Sequence, residues 1–191
     1  MGAAENLKTI SAEAYLEQEQ EAEGKTEFHL GQVIALAGST VSHERIACNV
    51  VAALHFLLKG SDCQEFSSEI KVAIGHDKAF YYPDAMVVCG PLSQARNRKD
   101  MIDNPRLIVE ILSAESEARD RGEKFLSYQM LPSLQEYVLI SQDQCRVEVF
   151  FKGPGQGWLY QQYTDLGAAI PLQSLNVSLS ALEIYDRVAL G

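Results

Sequence analysis

Between Asn104 and Ser113 the chain reads Asn-Pro-Arg-Leu-Ile-Val-Glu-Ile-Leu-Ser, an apolar run of strand length with one carboxylate, Glu110, in its middle. A short run of Leu, Ile and Val bounded by proline and serine reads as a buried strand. An ionised carboxylate taken out of water without a partner is strongly disfavoured, so Glu110 must be paired, protonated or bound to a cation. Upstream, Tyr81-Tyr82-Pro83-Asp84-Ala85-Met86-Val87-Val88-Cys89 opens a second apolar run with a second acid. Two acids on two buried strands can converge on one divalent cation.

Around these two runs, 191 residues with 47% hydrophobic and 22% charged content describe a globular chain of α/β class. We divide it into an acidic helical segment, 1–23, and a single domain, 24–191. The net charge of -10 argues against bulk electrostatic coating of nucleic acid, because such binding needs Lys and Arg to displace counterions. That charge is concentrated at the start, where Glu5, Glu13, Glu17, Glu19, Glu21 and Glu23 face Lys8 alone. Between Arg96 and Lys124 the signs balance. Arg96, Arg98, Lys99, Arg106, Arg119, Arg121 and Lys124 are there as candidates to face a phosphate chain, although charge alone reads them as a solvated surface.

Cys48, Cys63, Cys89 and Cys145 show no metal-ligand spacing, and three sit in apolar patterns, so buried free thiols are expected. That expectation fits a reducing cytoplasm. The acidic start is unlike a signal peptide, no apolar run approaches a membrane helix, and Asn6 breaks the myristoylation pattern that Met1-Gly2 opens.

Periodicity then places the elements. Ser11 caps a short helix, expected to be peripheral, and Thr26 to Leu36 folds as a hairpin about Gly31. Ile46, Val50, Leu54 and Leu57 or Leu58 recur at helical spacing, which predicts a core-facing helix from a Ser42 cap to a Gly60 stop. Cys63 to Ile74 gives one or two strands. Gly90 to Pro105 is a polar, basic surface segment, and Glu115 to Met130 is helical with Ser113 or Ser116 as cap. Val138-Leu139-Ile140, Val147 to Phe150 and Trp158-Leu159-Tyr160 form a closing meander, followed by a helical turn at Ala181 to Tyr185.

The chemistry follows from order: an acid at a strand start, an acid inside a strand, then Lys124 on the next helix, one turn after Asp120 and one before Tyr128. A metal held by Asp84 and Glu110 would polarise a phosphoryl oxygen and generate hydroxide, and the lysine would orient that water or neutralise developing charge. This pattern resembles the bacterial restriction endonuclease family of the Uma type, within the PD-(D/E)XK nuclease superfamily. Pro83-Asp84 looks like its PD motif, Leu107 to Ser113 like its glutamate strand, Asp120 to Tyr128 like its helix, and Glu136 to Ile140 like the strand that follows. Glu27 to Gly31 and His43 stand where the family has an early strand pair and a helix-start histidine. The likeness runs from about residue 10 to residue 187.

The resemblance implies a restriction-endonuclease-like core, a central mixed sheet flanked by helices. It implies Mg²⁺, replaceable by Mn²⁺, on Asp84, Glu110 and the carbonyl of Ile111, with Lys124 as the catalytic lysine and His43 as an accessory residue. Leu112 stands where the superfamily places its lysine, two residues after the glutamate. Ser113-Ala114 and Ser141 depart from the family's serine-proline and aspartate.

Taken singly, each of these residues has a plainer explanation. Pro-Asp is a common turn dipeptide, Glu110 could pair with Arg106 or Arg119, Asp120 and Lys124 make an ordinary surface ion pair, and His43 could cap or pack. Together they predict a cytoplasmic Mg²⁺-dependent endonuclease that acts on DNA and forms a homodimer. The alternatives are a nuclease fold that has lost turnover and serves as a nucleic-acid-binding or oligomerisation module, and a phosphoesterase for smaller substrates. The last would lack a continuous face built from the arginines.

Overall fold

The seam of the fold is the stripe Ile46, Val50, Leu54 and Leu58, one residue per turn and all buried, while Leu57 is exposed. It belongs to a long helix in a computed structural model that describes residues 9–155 and 157–191. Glu5, Lys8 and the Met1-Gly2 pattern lie outside the described residues.

In chain order the elements begin with α1 (Ala12–Gln20), the hairpin β1 (Thr26–His29) and β2 (Gln32–Ala35), and α2 (Val41–Leu58). There follow β3 (Cys63–Ser67), β4 (Lys71–Ile74), β5 (Ala79–Tyr81), β6 (Ala85–Cys89), β7 (Met101–Ile102) and β8 (Leu107–Leu112). A helical segment comes next, made of α3 (Glu117–Arg119), a π turn (Asp120–Lys124) and α4 (Phe125–Tyr128). The chain closes with β9 (Glu136–Ser141), β10 (Val147–Lys152), β11 (Trp158–Tyr163), a small hairpin of β12 (Ala169–Leu172) and β13 (Val177–Ser180), and α5 (Ala181–Ile184).

Two larger sheets result. One has the order β11-β10-β9-β8-β6-β3 and is mixed, with β8 and β9 parallel. The other runs β2-β1-β5-β4-β7. Alternation along the strands gives the first sheet two buried faces. Val87, Val109, Ile111, Val138 and Ile140 meet the stripe of α2 on one side. Met86, Ile108, Leu112 and Leu139 meet Tyr128 of the helical segment and Val72, Ile74 and Tyr81 of the second sheet on the other. This is the α/β architecture expected, with central mixed sheets flanked by helices.

Three local expectations need correction. α1 is not peripheral: Tyr15 and Leu16 are buried against Phe28, Phe80 and Met101, because they cover the outer face of the second sheet. The cap of α2 is Thr40 rather than Ser42, since its side chain accepts the amide of His43 at 3.1 Å. The cysteines are not four buried thiols. Cys63 and Cys89 are disulfide-bonded, Cys48 is an exposed free thiol, and Cys145 is half-buried. At a sequence separation of 26, Cys63 and Cys89 give no spacing signal; the pairing of β3 with β6 makes them neighbours. No helix among the described residues is long and apolar enough to cross a membrane.

Candidate functional site

β6 and β8 are antiparallel, with Ala85 opposite Val109 and Met86 opposite Ile108. One further step in that register sets Asp84 opposite Glu110. Alternation then puts both carboxylates on the face of Met86, Ile108 and Leu112, which the helical segment covers. The strand pattern that hides the apolar side chains therefore also delivers two acids to one place.

Glu110 is 3% exposed. Its Oε1 lies 2.7 Å from Lys124 Nζ and accepts the Tyr128 hydroxyl at 2.8 Å. The partner of Glu110 is thus Lys124, not Arg106 or Arg119, and Lys124 is buried rather than on the surface, at 5% exposure. Asp84 Oδ2 accepts the amide of Ile111 at 2.7 Å and lies 3.3 Å from His43 Nε2. So Asp84, Glu110, Ile111, Lys124 and His43, named from sequence, come together in one cleft. Oδ1 of Asp84 and Oε2 of Glu110 accept no hydrogen bond among the described residues.

Glu27 is the member that sequence reasoning missed. It is fully buried in β1. Its Oε2 receives Arg119 Nη1 at 2.6 Å; its Oε1 accepts the amide of Tyr82 at 2.9 Å and lies 3.4 Å from Lys124 Nζ. No local signal marked it: β1 reads Thr-Glu-Phe-His, with Phe28 its one apolar residue, so an acid there does not contradict its surroundings as Glu110 does. Arg119 and Lys124 are five residues apart, and on an α-helix such residues point about 140° away from each other. The π turn, built on i→i+5 bonding, is what lets both reach Glu27. Asp120, inside that turn, places Oδ1 3.4 Å from Lys124 and is also buried.

One lysine therefore sits among three carboxylates. Burial raises the Glu110 carboxyl well above the usual carboxylate range, with Lys124 opposing and Asp120, Asp84 and Glu27 adding to the rise. Burial raises Asp120 in the same way. Burial alone would lower Lys124, but Glu110, Glu27 and Asp120 outweigh it and hold the ammonium charged. His43 is similarly held above its ordinary value, its burial outweighed by Asp84. The cluster has more acids than bases to neutralise them, so it holds a proton or calls for a cation.

Hard oxygen donors of this kind suit Mg²⁺ or Mn²⁺, and the open oxygens of Asp84 and Glu110 could take one. On donor chemistry the site fits such an ion. Asp84 and Glu110 are not gathered with a third ligand as tightly as Asp62, Cys63 and Cys89, which lie far from the cleft and are the described group whose ligand atoms all fall within 4.8 Å.

The cleft has a volume of about 700 Å³. Lys25, Arg119 and Lys124 line it against Glu27, Glu44, Glu69, Asp84, Glu110, Glu115 and Asp120. Of the seven basic residues proposed to face a phosphate chain, Arg119 and Lys124 lie there. Arg96 pairs with Asp77 and Glu13, Arg98 with Asp100, and Arg121 with Glu117 and Glu148. They do not form one basic face over the cleft.

Comparison with known proteins agrees with this fold. The family model "Uma2: Putative restriction endonuclease" matches residues 12–184. Two uncharacterized proteins of Synechocystis sp. (strain ATCC 27184 / PCC 6803 / Kazusa), sll1609 and slr1290, are 31% and 32% identical over 170 and 180 residues. These alignments cover 89% and 94% of this chain and 96% and 93% of the relatives. A crystal structure of a putative nuclease belonging to DUF820, from Anabaena variabilis ATCC 29413, superposes with a TM-score of 0.77 at 20% identity. That match covers 94% of this chain and 99% of the other, and it establishes a shared fold.

Proposed function

We propose that this chain, which belongs to the Uma2 family described as putative restriction endonucleases, is a nuclease that hydrolyses DNA phosphodiester bonds with Mg²⁺ at Asp84 and Glu110. The observation that carries the reading is the pair itself: two acids opposite each other on neighbouring strands, each with one oxygen engaged and one open, beside a buried lysine.

In this reading Asp84 and Glu110 hold the cation, with the carbonyl of Ile111 as a further ligand and Mn²⁺ as a substitute. Bound there, Mg²⁺ would polarise the phosphoryl oxygen and lower the pKa of a water. The chain's own groups prepare for this. The Ile111 amide and His43 fix Asp84 by one oxygen. Tyr128 fixes Glu110. Lys124 brings a positive charge, held by Glu27 and Asp120, to the edge of the site, where it can meet charge developing on the phosphate. The cytoplasm as the place of action, and a homodimer making one cut per strand, belong to the same proposal.

The acid-lined cleft and the dispersed arginines favour a second reading, in which the site takes short phosphodiesters rather than long duplexes. One experiment serves both. Purified protein is incubated with plasmid DNA and with a dinucleotide-sized phosphodiester, with Mg²⁺, with Mn²⁺ and with chelator. Metal-dependent cleavage that Asp84→Ala and Glu110→Ala abolish, in variants that still fold, supports the site. Cleavage that survives both substitutions overturns it. Failure to take up Mn²⁺, together with no hydrolysis of either substrate, identifies a fold that has lost turnover.

A further inference from the structure

We infer that Cys63, Cys89 and Asp62 form a redox-gated site for a thiophilic divalent cation of the Zn²⁺ class, at the end of β6 opposite to Asp84. The inference does not rest on the nuclease reading.

The placement follows from the ladder. Cys63 lies opposite Cys89 in the antiparallel pairing of β3 with β6. The amide of Gly90 donates to the carbonyl of Asp62 at 2.9 Å, which makes Asp62 and Gly90 the hydrogen-bonded pair. Cys63 and Cys89 are then the closer, non-hydrogen-bonded pair, with side chains side by side. Asp62 Oδ1 lies 3.7 Å from Cys63 Sγ, and the three ligand atoms fall within 4.8 Å of one another. β3 is an edge strand, both cysteines are half-buried, and Cys63 opens on a shallow surface pocket. A small reductant and an ion can both approach.

The sulfurs are bonded to each other in the structure and cannot act as thiolates in that form. A dithiol reductant would supply two electrons and two protons. The sulfur–sulfur bond breaks, Cys63 and Cys89 become thiols, and the reductant leaves as its own disulfide. Zn²⁺ then displaces the two thiol protons and binds two thiolates and the Asp62 carboxylate, with water in a fourth position. Thiolate ligands select Zn²⁺ over Mg²⁺, whereas the carboxylates of the cleft also accept the hard ions Mg²⁺ and Mn²⁺. The molecule would thus offer two chemically different cation sites at the two ends of one strand.

Co²⁺ is the probe, because its thiolate complexes absorb by sulfur-to-metal charge transfer and carboxylate complexes do not. The full-length protein, reduced with a dithiol and freed of it under anaerobic conditions, should take up one equivalent of Co²⁺ with that absorption. Zn²⁺ should abolish the band and Mg²⁺ should not. The disulfide form and Cys89→Ser should lose the band, and Asp62→Ala should keep its thiols but bind more weakly. Absence of the band in the reduced, folded wild type would overturn the inference. So would a band that persists in Cys89→Ser, since Cys48 or Cys145 would then be its source.

Discussion

At the scale of single residues, the charge balance around Lys124 is the dominant fact. Glu27, Glu110 and Asp120 all lie within salt-bridge distance of one ammonium. Removing a partner from such a buried cluster is far more disruptive than the pair is stabilising. Lys124→Met should therefore cost about 3 kcal/mol in metal-free protein at neutral pH, measured by urea unfolding; a variant as stable as wild type would contradict the burial. The pH dependence carries a sign. Glu110 and Asp120 have raised carboxyl values, so the stability they contribute is present below the ordinary carboxylate range and lost as pH climbs through their folded values. His43, also raised, acts in the same direction at higher pH. Asp100 and Glu117 are lowered by their arginine partners, and their contribution falls away only in stronger acid. Metal-free protein should melt at a higher temperature near pH 5 than near pH 8. Glu110→Gln should shrink that difference; a melting temperature that rises steadily toward pH 8 would refute the ordering.

At the scale of elements, what the sequence made legible was whatever repeats locally. The stripe of α2, the hairpin at Gly31 and the meander β9 to β11 follow from period and turn residues alone. So did Asp84 and Glu110, because an acid in an apolar strand contradicts its surroundings. What stayed hidden depended on pairing across distance. Glu27 reaches the site only because β1 belongs to the sheet that packs over β8, and the disulfide exists only because β3 pairs with β6. The cap of α2 was misplaced by two residues because Thr40 and Ser42 are chemically equivalent in sequence. The two assignments differ in outcome: Thr40→Ala should cost about 1 kcal/mol and Ser42→Ala at most about 0.5 kcal/mol in thermal unfolding. Thr40 also donates to Gln142 at 2.6 Å across the cleft, so its loss should loosen His43 as well.

At the scale of the whole molecule, a chain with net charge -10 and an acid-lined cleft repels the polyanion it is proposed to cut. A cation resolves this, and the consequence is measurable. Binding of a fluorescent oligonucleotide should be undetectable in chelator and appear with Ca²⁺, a hard ion that suits carboxylate oxygens. Tight binding in chelator would show that the arginines outside the cleft suffice. The layered arrangement supports the same economy. α2 on one side and the helical segment on the other hold the first sheet rigid, and the two acids inherit their positions from strands that are buried on both faces.

The π turn at Asp120 to Lys124 gives the site an unusual kind of heredity. A substitution at Gly122 or Glu123 alters a side chain and leaves the number of residues between Arg119 and Lys124 unchanged, so both still reach Glu27. Loss of any one residue in that stretch would bring Arg119 and Lys124 to a spacing of four, which an ordinary α-helix sets about 40° apart, on one face. The arrangement of charge is thus recorded in the match between chain length and helix type rather than in residue identity: five residues need the π turn, and the family should show either that length with the turn or one residue fewer without it.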